Sequence, residues 1–197
     1  MTHPNSRTAA EIASRRPPSQ ATDIMAKRSS AYTKNLIEPI VNASVSDRWE
    51  TAVLEWDISD CEEDESAETD CMCGHEGIRY LFYIRNRNNG NTFGPIGSEC
   101  IKKFGRKDLA SEVDVQERMF RLYEAITKGV RIELDATYFS RKFLLYLLEQ
   151  KAMSEGDYQF MLDMFNKRDK DSITYGQERK INAVIAFSIK PFLRTTT

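Results

Sequence analysis

The clearest regularity in the chain has a period of two. Ile78, Tyr80, Phe82 and Ile84 alternate with Arg79, Leu81, Tyr83 and Arg85, as a strand with one buried face requires. Asn89-Gly90 follows, a dipeptide suited to the positive φ angles of a tight reversal. Thr92 to Ile96 then returns as a second strand, so a hairpin is predicted over 78–96. Gly97-Ser98 ends it, and Ser98 is positioned to cap a short helix from Glu99 to Phe104 that stops near Gly105.

Beyond residue 108 the period becomes helical, and four helices are predicted. In the first, Ser111 caps, Asp114 sits third, Val115, Met119, Leu122 and Ile126 form the stripe, and Lys128-Gly129 ends it. The second runs from Thr137 to about Lys151 around Phe139, Phe143, Leu144, Leu147 and Leu148. The third starts at Ser154, with Asp157 three residues on, and buries Tyr158, Met161 and Phe165. The fourth has the capping pair Thr174 and Gln177, a stripe of Ile181, Val184, Ile185 and Phe187, and a stop at Pro191. Faces this wide imply a shared core and suggest no site. Upstream, Trp49, Val53 and Trp56 recur behind Ser46 at helical spacing, although Val53 to Ile58 suits a strand equally. Residues 1–33 are rich in Ser, Ala, Arg and Pro without a sustained period, which predicts a disordered basic arm.

Charge sharpens this division. The net charge of −2 conceals eight acids and no base over 57–70, a segment expected to be a solvated loop. Residues 78–107 then carry seven bases against Glu99 alone, so a near-neutral total does not exclude binding an anion. No apolar run approaches the ~20 residues that cross a bilayer. Residues 1–30 lack the apolar core of a secretory signal. The expectation is an intracellular protein, cytoplasmic (in the host cytoplasm if viral), whose thiols are reduced.

The four cysteines are spaced Cys61-x9-Cys71-x-Cys73-x26-Cys100. A Cys-x-Cys knuckle before a hairpin, with another cysteine at the start of the following helix, can converge on one tetrahedral metal. Gly74 lets the knuckle turn, and Cys100 lies in the first turn after Ser98. Two residues compete for the fourth position. Cys61 requires the acidic segment to fold back, while His75 would crowd three ligands into five residues. Cys61 is preferred, and zinc is the expected cofactor. The competing account is buried or redox-active thiols, since Cys-x-Cys is less specific than a doubled Cys-x-x-Cys. The fold class that follows is α+β, with a small zinc-ribbon or treble-clef-like hairpin module over 34–108 and an α-helical bundle over 109–197.

Cys71-Met-Cys73-Gly74-His75, then Ile78, Ile84, Asn86, Gly90 and Gly97-Ser98-Glu-Cys100-Ile101-Lys-Lys-Phe104, resemble a zinc-ribbon-like module of phage, prophage and giant-virus proteins, mostly of unassigned function. The resemblance covers residues 56–104 and implies zinc and a viral or mobile-element origin. Members of that type often carry a further cysteine where this chain has Phe82, so one ligand has moved.

Three functions compete. If the Ile78 stripe faces the core, the other face offers Arg79, Tyr83, Arg85 and Arg87, followed by Lys102, Lys103, Arg106 and Lys107. Bases that neutralise phosphates beside a stacking aromatic predict a sequence-tolerant nucleic-acid binder. A phage-encoded inhibitor or anti-defence factor could instead act on a host protein through acidic residues 57–70. An ordered acidic surface favours the inhibitor, and an ordered basic hairpin favours nucleic acid. No phosphate loop, nucleophile elbow or His-Glu-x-x-His motif occurs, and His3 and His75 are the only histidines, so no enzyme is expected.

Overall fold

The structure, a computed structural model, describes residues 31–196. Most of the predicted basic arm lies outside this range, but its last residues are helical. The first helix, α1, spans 31–42, with a wide π turn at Thr33–Ile37 followed by Glu38–Asn42. It buries Leu36 and Ile40 completely. A short helix, α2, covers Trp49–Ala52 and tightens into a 3-10 turn at Val53–Glu55. Ser46 does not cap it: Arg48 is the N-cap, and the Ser46 N–H instead donates to Glu55 Oε1 at 2.8 Å.

The acidic segment is not wholly a loop. Trp56–Glu63 forms strand β1, which pairs antiparallel with β2 (Tyr80–Asn86), and β2 pairs with β3 (Thr92–Gly97) in the order β1-β2-β3. A bulge accommodates the acids: β1 buries Trp56 inward, and the register shift between Ile58 and Asp60 turns Asp60 and Glu62 to solvent. The rest of the run is ordered around one carboxylate. Asp64 accepts from the N–H groups of Ser66, Glu68 and Thr69 and from the hydroxyls of Ser66 and Thr69.

The predicted hairpin is present, with a wider turn. Asn86 is fully buried; its Oδ1 accepts from the N–H of Asn88 and Asn89, and only Gly90 takes a positive φ (+78°) in the turn. Phe82 pairs with Ile96 and Ile84 with Phe93, leaving Gly94 and Pro95 bulged opposite Tyr83. A Cβ on Gly94 would sit 2.4 Å from Tyr83 Cδ1 and 3.0 Å from the Phe82 carbonyl oxygen, so the bulge has room only for glycine.

Helix α3 (Ser98–Lys102) follows β3, and α4 (Lys107–Thr127) runs for 21 residues. The start predicted at Ser111 falls inside α4. Arg106 is extended at its N-cap, and its guanidinium is bound by the Val53 and Trp56 carbonyls, Asp57 and Asp108. The expected boundary between modules at 108/109 therefore lies within one continuous helix. Leu109 and Val113 belong to a core with Leu36, Trp56, Phe82, Ile96 and Ile101, whereas Met119 and Leu122 belong to a second core with the helices downstream.

Those are α5 (Arg141–Glu149), α6 (Glu155–Asn166) and α7 (Tyr175–Val184). Ser154 and the Thr174–Gln177 capping box act as predicted, while α5 is capped by Ser140 and begins at Arg141 rather than Thr137. Pro191 does not stop the last helix. A π turn at Ile185–Ile189 widens the backbone and helix continues over Lys190–Thr196. The wide turn keeps Ile185, Ile189 and Leu193 buried but rotates Phe187 outward to 82% exposure, against its predicted core role.

Candidate metal centre

The knuckle after the Asp64 turn is held by backbone. The Cys71 N–H donates to the His75 carbonyl at 2.8 Å, Gly74 N–H to the Cys71 carbonyl at 2.8 Å, and Met72 N–H to the Pro95 carbonyl at 3.0 Å. These bonds point the knuckle at the start of α3. Among the described residues, Cys71, Cys73 and Cys100 offer ligand atoms within 4.8 Å of one another. Cys100 Sγ lies 3.8 Å from Cys71 Sγ and 3.4 Å from Cys73 Sγ. A disulfide would require about 2.05 Å, and all four cysteines are free. Tetrahedral zinc with Zn–S bonds of about 2.3 Å sets neighbouring sulfurs about 3.8 Å apart, so the three thiols fit a metal ion.

Their electrostatics agree with that chemistry. Contact with Cys100 is the largest influence on Cys71; together with the Gly97 N–H, donated to Cys71 Sγ at 3.3 Å, it outweighs burial and brings that thiol down to about 5. Cys73 is pushed up mainly by burial, and Cys100 mainly by its contact with Cys71. Without a cation one thiolate opposes the formation of the others, and a bound dication removes that opposition.

Cys61 is not part of this group. It lies on β1 opposite Phe82, and burial, reinforced by Asp60, Glu112 and Glu62, pushes its thiol up to about 11. His75 is exposed, and its ring is likewise outside the cluster; its contribution is the carbonyl that accepts from Cys71. Two residues overlooked in the sequence do border the thiols. Tyr32 on α1 donates its hydroxyl to the Cys100 carbonyl at 3.3 Å, and Asn35 Nδ2 donates to the Cys73 carbonyl at 3.4 Å. Burial, then the Cys100, Cys73 and Cys71 thiols, raise the Tyr32 phenol. The spacing of Tyr32, Leu36 and Ile40 was the signal that could have revealed α1.

The predicted basic surface is largely paired. Arg79 bridges Glu63 and Glu124 at 2.8 and 2.5 Å, Arg87 pairs with Asp57, and Lys102 pairs with Glu99 and Glu117. Arg106 is only 11% exposed in the clamp at the N-cap of α4. Tyr83 donates its hydroxyl to Glu62, and Leu81, on the supposedly solvent-facing side of β2, is buried. Among the described residues, Arg85, Lys103 and Lys107 form no ion pair, and Lys103 Nζ stands 5.2 Å from the centre of the Tyr32 ring.

No protein-family model, curated protein or solved structure significantly matches this chain. No helix among the described residues is long and apolar enough to cross a membrane.

Proposed function

We propose that this chain is a non-catalytic accessory protein, of viral or mobile-element origin, in which a zinc ion fastens the Cys71-Cys73 knuckle to α3 and stiffens a surface that docks a protein partner. The observation that carries this reading is the convergence of three sulfurs from segments 27 residues apart, at spacings suited to tetrahedral metal. An all-thiolate set of this kind selects zinc over hard cations. A fourth donor, or a water, completes the shell.

The partner is favoured as protein by the charge pairing of the sheet. Arg79, Arg87, Lys102 and Arg106, half of the predicted phosphate-binding set, are committed to carboxylates. Strand β1 is an edge strand whose outer row shows Asp60 and Glu62, and the ordered turn beyond it exposes Glu65, Glu68 and Asp70. A basic surface on a partner protein complements this edge. Nucleic acid is the second reading and rests on Arg85, Lys103 and Lys107.

Two measurements test these readings. Purified full-length protein should hold about one zinc per chain by mass spectrometry. Cys73→Ser should abolish that binding, and Cys61→Ser should leave it intact. A metal-free form melting at the same temperature as the zinc form refutes the metal reading, because ligation and folding share one free energy. Titrating the full chain at low salt with DNA, RNA and a Lys/Arg-rich polypeptide separates the partners. Charge reversal at Asp60 and Glu62 should abolish polypeptide binding. Tight polynucleotide binding lost with Arg85→Ala and Lys107→Ala, with a lower slope against log salt, overturns the protein reading in favour of nucleic acid.

A further inference from the structure

A cleft of about 500 Å³ opens between α3, α4, α5 and the end of α6, and its lining is chemically divided. Phe165 provides an apolar wall over the buried Phe139, while Lys102, Arg118, Arg141 and Lys142 bring four cationic side chains to the same space. Asp114 is the one carboxylate in the lining, and it is already bound by Arg118 Nε at 3.1 Å and the Ser140 hydroxyl at 2.6 Å. Lys102 is balanced by Glu99 and Glu117. Arg141 has only the neutral Asn166 as a partner, at 2.8 Å, and neither it nor Lys142 forms an ion pair among the described residues. The cleft thus keeps two uncompensated cations beside an aromatic wall.

We propose that this cleft binds a nucleotide, with the phosphoryl group on Arg141 and Lys142 and the base against Phe165. Two features of the site favour that class. A guanidinium and an ammonium together satisfy phosphoryl oxygens by charge-assisted hydrogen bonds. An inorganic anion would leave the Phe165 wall unused, whereas a cleft of this size and mixed lining suits a small organic ligand. The same chemistry is offered by a free nucleotide and by the 5′-terminal nucleotide of a strand. The two phosphoryl-binding residues are on α5, not on the elements that carry the thiols, while Lys102 shares α3 with Cys100.

Calorimetric titration of the full chain with AMP, adenosine and inorganic pyrophosphate tests the proposal. AMP should bind about tenfold or more tighter than adenosine, one charge-assisted contact being worth about that factor. Arg141→Gln and Lys142→Gln should each weaken AMP by a similar factor without lowering the melting temperature, since both side chains are exposed. Phe165→Leu should weaken AMP and leave pyrophosphate unchanged. Tighter binding of a 5′-phosphorylated oligonucleotide than of AMP assigns the strand end as the source, and the reverse order assigns the free nucleotide; both support the site. Equal affinity for AMP and adenosine, unaltered AMP binding by the Arg141 and Lys142 variants, or no AMP binding at millimolar concentration overturns it.

Discussion

Glu55 ties the cysteine-bearing side of the protein together, and replacing it with Gln should be costly. Its carboxylate is buried, 6% exposed, and accepts from Val45 N–H and Asn86 Nδ2 through Oε2 and from Ser46 N–H through Oε1, each at 2.8 Å. Asn86 in turn orders the hairpin turn, where Asn89 and Asn91 donate side-chain N–H groups to the Ala43 carbonyl just after α1. The same helix carries Tyr32 and Asn35 to the thiols. Glu55→Gln keeps the shape but turns two charge-assisted bonds into neutral ones and points an N–H at the third donor. With about 1 kcal/mol lost per bond, the sum is about 3 kcal/mol. In a chain of this size that lowers the melting temperature by about 6–12 °C, measurable by calorimetry at pH 7. Burial alone would raise this carboxyl, but the three hydrogen bonds prevail and hold it at about 2, below its ordinary 4.5. Because the folded value is depressed, the stabilisation is complete above about pH 4.5 and fades as the pH falls toward 2. The gap between wild type and variant should therefore shrink by about 1–2 kcal/mol near pH 3.5, where Glu55 is still ionised in the folded protein but already protonated in the unfolded chain. A difference under about 2 °C at pH 7, or one that stays constant down to pH 3.5, refutes the reasoning.

Further consequences concern the bulge and the last helix. Gly94→Ala should destabilise by about 2 kcal/mol or more by overpacking against Tyr83 and Phe82, seen as a lower urea midpoint; an unchanged midpoint means the bulge has slack. Phe187→Ser should stay within about 0.5 kcal/mol of wild type because the ring is solvent-exposed, whereas Ile189→Ala, fully buried two residues on, should cost about 2–4 kcal/mol. Equal effects in thermal melts would contradict the π turn.

The sequence by itself determined what depends on near neighbours. The capping box of Thr174 and Gln177, the Ser154 cap, the β2–β3 hairpin and the Cys-x-Cys knuckle are interactions over a few residues, and they occur where the pattern put them. The α+β class followed from the change of period near residue 108. The tertiary structure decided whatever depends on partners far along the chain. Acidic residues 56–63 form a strand because β2, more than 15 residues on, supplies backbone partners that no local pattern announces. Arg79, Lys102 and Arg106 look free in one dimension and are committed in three, since Glu124, Glu117 and Asp57 reach them only once α4 lies against the sheet. Cys61 illustrates both limits. Its spacing suited a fourth ligand, but the register of β1 sets it opposite Phe82 among acidic neighbours, while the other three sulfurs meet at the start of α3. Spacing establishes which residues can meet, and strand register with helix packing selects among them.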